Sequence, residues 1–67
     1  MIDYKTNIYN SENKLVATID DSIGMNKNEL LDLTINDKVI SGIIYKVVNA
    51  VDVSGGKIKH TISYYIY

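Results

Sequence analysis

The four residues Ser54-Gly55-Gly56-Lys57 lie between two long runs of alternating side chains, and they constrain this chain more than any other feature. Glycine enters the left-handed backbone region at little cost, and a two-residue turn with positive φ at both positions matches the twist of an antiparallel hairpin. A turn at Gly55-Gly56 sets the register, with residues 43–53 facing residues 57–67. One face then stacks Val53 on Ile58, Val51 on His60, Asn49 on Ile62, Val47 on Tyr64 and Tyr45 on Ile66. The other stacks Asp52 on Lys59, Ala50 on Thr61, Val48 on Ser63, Lys46 on Tyr65 and Ile44 on Tyr67. A slip of one residue would bury Asp52 and Lys46 and split the Asp52 and Lys59 pair, so the charges support this register independently.

The first half alternates too. Ile2, Tyr4, Thr6 and Ile8 face one way and Asp3, Lys5, Asn7 and Tyr9 the other, which is strand periodicity. The turn formers Asn10 to Asn13 separate this run from a second, 14–20, and the two read as a hairpin. The period breaks over 21–32. There Asn26-Lys27-Asn28-Glu29 has the spacing of a helix N-cap with Glu three residues on, which predicts one short helical turn carrying Leu30 and Leu31 as a plug over one end of the sheet. Asn36-Asp37 turns the chain into a short strand at 38–40, and Ser41-Gly42 reads as a further turn.

The run Leu33 to Val48, LTINDKVISGIIYKVV, resembles the segment of SH3-like small barrels in which a turn, a short strand and a tight turn precede a longer strand with an inward aromatic. Where those folds often carry Gly-Asp, this chain has Asn36-Asp37. The resemblance implies a small barrel and carries over no functional residue. The expected architecture is one all-β domain, 1–67, of about five antiparallel strands. These form a partly open barrel or strongly bent sheet with one helical turn, ending in the long hairpin.

Sixty-seven residues build only a thin core, and oligomerisation commonly supplements one this small. No cysteine is present, so disulfides, thiolate chemistry and Cys-based zinc sites are excluded. Seven lysines against eight acids give a net charge of −1, and arginine is missing. That balance provides no field to attract nucleic acid or anionic membrane and no bidentate phosphate contact. The surplus of Ile, Asn, Lys and Tyr fits AT-rich coding, as in low-GC bacteria and their phages or mobile elements. Neither a signal peptide nor a membrane span is visible, so the expected location is the cytoplasm, that of the host if phage-encoded.

No catalytic constellation emerges. The single histidine, His60, sits on the predicted core face without a second imidazole or thiolate to complete a metal set. Asp20, Asp21, Asp32 and Asp37 lack the spacing of a calcium loop, and Gly55-Gly56 joins strands rather than opening a helix. The expectation is a protein that is not an enzyme and needs no cofactor. The six tyrosines remain as the signal. Tyr45 and Tyr64 are expected in the core. Tyr65 and Tyr67, with Ile44, Lys46 and Val48, are expected to form an apolar patch that a protein partner or a second copy covers. A single-stranded nucleic-acid binder using the same tyrosines with Lys38, Lys46, Lys57 and Lys59 is the alternative. The net charge weighs against it, and no small-molecule substrate is indicated.

Overall fold

The computed structural model describes residues 2–67 and contains five strands. They are β1 (Ile2–Tyr9), β2 (Leu15–Ile19), β3 (Leu30–Ile35), β4 (Lys38–Ser54) and β5 (Lys57–Ile66). They form a single all-β sheet in the order β2-β1-β5-β4-β3, curled into a half-barrel. No helix is present among the described residues, so none could cross a membrane.

The hairpin forms in the expected register from Ser54 opposite Lys57 as far as Lys46 opposite Tyr65. Gly55 and Gly56 take φ of 57° and 76° at its turn. Beyond Lys46 the register shifts: Ile44 pairs with Ile66, leaving Tyr45 as the extra residue of a β-bulge. Ladder bonds then continue between Ile43 and Tyr67 at 3.1 Å in both directions. The bulge changes which parity faces inward, from Ile40 and Ile44 before it to Val47 after it.

Two expectations about β4 and its approach are corrected. Ser41-Gly42 is not a turn, because β4 runs unbroken through it for 17 residues and pairs there with β3. Gly42 is needed for a close approach instead: a Cβ there would lie 2.8 Å from the Tyr67 carbonyl oxygen and 3.1 Å from the Ile66 Cβ. The helical turn at 26–29 is absent as well. The Glu29 carboxylate does accept from the Asn26 N–H at 2.6 Å, half of the anticipated capping pattern. Asn28, however, enters the left-handed region at φ 74°, which ends any helix after one turn, and Leu30 and Leu31 open β3.

The strands are mixed rather than all antiparallel. β1 and β5 pair in parallel over eight residues, Ile2 with Ile58 through Tyr9 with Tyr65. The Tyr-rich β5 is therefore the central strand, with β1 on one side and β4 on the other, and its edges are covered within the chain.

The concave face holds the core: Ile8, Leu31, Ile40, Ile44, Ile62, Tyr64 and Ile66, with Val16, Ala17, Met25, Leu33, Ile35 and Val47 packed against them. Residues 20–29 connect the two outermost strands, β2 and β3, and cross the mouth of the curl. Two side chains hold this crossing. The Tyr64 hydroxyl donates to the Ile23 carbonyl and accepts the Met25 N–H at 3.0 Å. Buried Thr6 donates its hydroxyl to the Asp21 carbonyl at 2.7 Å. Loop backbone that would otherwise be an unpaired polar ceiling over the core is thereby satisfied.

Candidate interaction surface

Side chains alternate across a sheet, so the residues between the core positions of β1, β4 and β5 emerge on the convex face. At the end of the sheet that holds the core, those residues are tyrosines. Tyr9 on β1 and Tyr65 on β5 are register partners, and their rings stack at 4.8 Å between centroids with planes 14° apart. From β4, on the other side of β5, the Lys46 ammonium lies 5.0 Å from the Tyr65 ring centroid, within cation–π range. Tyr45 packs at a tilt against Tyr65 at 6.3 Å and against Tyr67 at 5.6 Å.

The bulge makes this grouping possible. Two residues of β4, Tyr45 and Lys46, answer one residue of β5, and both side chains reach Tyr65. The strip continues across the whole sheet. Leu15 on β2 faces Tyr9, and Leu30 on β3 faces Ile43, whose backbone pairs with Tyr67. Tyr67, Leu30 and Leu15 are 69%, 60% and 54% exposed.

Of the residues expected here, Lys46, Val48, Tyr65 and Tyr67 lie on the convex face. Ile44 does not: the shifted register turns it inward, where it is 0% exposed. Tyr45 makes the opposite exchange, from an expected core position to the convex strip. Tyr9 completes the stack. Its outward direction is visible in the alternation of residues 2–9, but its neighbour in β5 is not, because a parallel pairing across the length of the chain leaves no local trace.

The remaining polar groups do not converge. His60 stands opposite Val51 as read from the register, its Nε2 3.0 Å from the Asn49 Oδ1 and its ring 5.7 Å from that of Tyr4. Among the described residues, no three His, Cys, Asp or Glu side chains gather as a metal set. An open groove of about 540 Å³ runs beside β1 where β2 has ended, with Asp3, Lys5, Asp20, Asp21 and Lys59 around it. Its charges are mixed, three aspartates and two lysines. The lysines are dispersed too: Lys57 and Lys59 lie at the turn end of the hairpin with Asp52, while Lys46 lies over the Tyr65 ring. Comparison with protein-family models, with curated proteins and with solved structures found no match to this chain.

Proposed function

We propose that this chain is a non-enzymatic binding protein that holds a protein partner against its convex tyrosine strip. The observation that supports the reading is the stack Tyr9-Tyr65-Lys46 with Tyr45 and Tyr67 beside it, which faces outward although β5, the strand at its centre, is already paired on both sides. Rings that hold one another in place lose little freedom on docking, and tyrosine offers a broad apolar body with a polar tip. Contiguous apolar surface of a few hundred Å² is about where monomeric proteins stop tolerating exposure.

Nucleic acid is the less supported occupant. A base needs an accessible ring face, yet Tyr65 is flanked by Tyr9 on one side and Lys46 on the other, and three of the four lysines of that reading lie elsewhere. A phage or mobile-element origin and a cytoplasmic setting complete the proposal and rest on composition.

The test is retention of a partner from bacterial lysate by the wild-type chain and by Tyr65→Ala/Tyr67→Ala. The wild type should retain a protein that the folded double variant loses. Equal retention by both would overturn the assignment, and a double variant that unfolds would make these rings part of the core.

A further inference from the structure

Strand β4 uses its two edges in turn. Lys38 to Ile43 pair with β3 on one side, and Ile44 to Ser54 pair with β5 on the other. On the β3 side the last partners are Asn28 and Glu29: the Asn28 N–H donates to the Ile44 carbonyl at 2.7 Å, and the Ile44 N–H donates to the Glu29 carbonyl at 3.0 Å. From Lys46 to Ser54, nothing among the described residues pairs with this edge, and all of these residues but Val47 are exposed.

Exposed edges are ordinarily kept short or guarded by proline, bulges, lysines or charges that point inward. The outermost strands β2 and β3 are five and six residues long. The open edge of β4 runs for nine residues, KVVNAVDVS, with no proline or glycine, and its concave-facing side chains are Val47, Asn49, Val51 and Val53. Its only charges are Lys46 near one end and Asp52 near the other, both on the convex face.

That arrangement is complementary to itself. We infer that two copies of this chain join edge to edge through Lys46–Ser54 of β4, antiparallel about a two-fold axis at Ala50. This register uses the whole open edge. Lys46 faces Ser54 of the second copy, Val47 faces Val53, Val48 faces Asp52, Asn49 faces Val51, and Ala50 faces itself. Residues directly opposite share a face, as an antiparallel ladder requires. Each Lys46 lies diagonal to the other copy's Asp52, a separation of about 7–8 Å between backbones that a lysine side chain spans. Like charges stay apart, and a small residue sits at the axis where a side chain meets its own image. The joint leaves the tyrosine strips uncovered and on the same side of a ten-stranded sheet, so it stands independently of the binding role assigned to them.

The measurement is molar mass by light scattering across concentration, with hydrogen exchange of the β4 amides. The wild type should approach two chains of 7.5 kDa each, with edge amides between Lys46 and Ser54 slowing as concentration rises. Ala50→Lys places two ammonium groups across the axis and should raise the dissociation constant about tenfold or more. Lys46→Asp and Asp52→Lys should each weaken association, and the two together should restore it. Tyr65→Ala/Tyr67→Ala should leave the mass unchanged. A wild type that stays a single chain at millimolar concentration would overturn the inference. So would a dimer that a folded Ala50→Lys chain still forms, a double charge reversal no tighter than either single one, or a dimer dissolved by the tyrosine replacements.

Discussion

At the covered end of the sheet, Ile8, Tyr64 and Val47 form a row across β1, β5 and β4, and the row is sealed by the loop that Tyr64 anchors. The outer rows, Tyr4-His60-Val51 and Ile2-Ile58-Val53, follow the same ladders on the same concave face. Yet Tyr4 is 41% exposed and Val53 66%. Alternation decides which way a side chain faces, and cover decides whether it is buried. Here the cover is residues 20–29. That segment must travel from one outermost strand to the other, and each residue advances at most about 3.3–3.6 Å. Its reach is spent crossing the core, so the hairpin arm is left bare. On the convex face the order is reversed, with tyrosines behind the core and Asp3, Lys59 and Asp52 behind the bare arm.

The strongest challenge to this contrast is truncation at its two ends. Ile44→Ala empties a fully buried site and should cost about 2–5 kcal/mol, a large part of the total stability of a domain this size. The urea midpoint should fall steeply, and a small change would mean that the covered end is loosely packed. Tyr64→Phe keeps the ring but strips the loop of its anchor, leaving the Ile23 carbonyl and Met25 N–H without their partner, at a cost of about 1–3 kcal/mol. Hydrogen exchange should then quicken across residues 22–28 while the hairpin turn is unaffected; equal quickening at both would show that the two ends open together. The smallest effect belongs to Val53→Thr on the arm, which, measured at a concentration low enough to keep the chain single, should stay within about 0.5 kcal/mol as other exposed positions do. A loss above about 1 kcal/mol would reveal that something covers the arm in solution.

The parts legible in the residues are those whose determinants are local. Gly55-Gly56 and the Asp52 and Lys59 pair specify the hairpin, and Asn36-Asp37 forms a turn with φ of 49° and 64°, as side chains tolerant of the left-handed region allow. Asn10 marks the first turn because its Oδ1 accepts the Glu12 and Lys14 N–H groups. The illegible parts depend on the rest of the fold. Nothing near Tyr45 announces a bulge; it arises where β4 passes from β3 to β5, and it alone exchanged Ile44 and Tyr45 between core and surface. Gly42 looked like a turn residue because glycine serves close approach as readily as reversal, and only the Tyr67 carbonyl overhead distinguishes the two. The convex face was thus half visible: the outward position of Tyr65, Tyr67, Lys46 and Val48 is readable from the alternation of the hairpin, whereas Tyr9 and Tyr45 are brought beside them only by long-range pairing.

The central position of β5 also governs how the molecule comes into being. Every β1 residue waits for a partner 56 positions further along, as Ile2 does for Ile58, and β4 waits for β5 as well. Before β5 has been synthesised, the chain can form only two separate hairpins, β1 with β2 and β3 with β4, each of a kind that is at best marginal in water. Closing so long a loop before any contact rewards it predicts slow folding for the length of the chain. A ribosome making this protein therefore holds an unassembled sheet until Ile58 to Ile66 emerge, and the whole structure then forms in one late step.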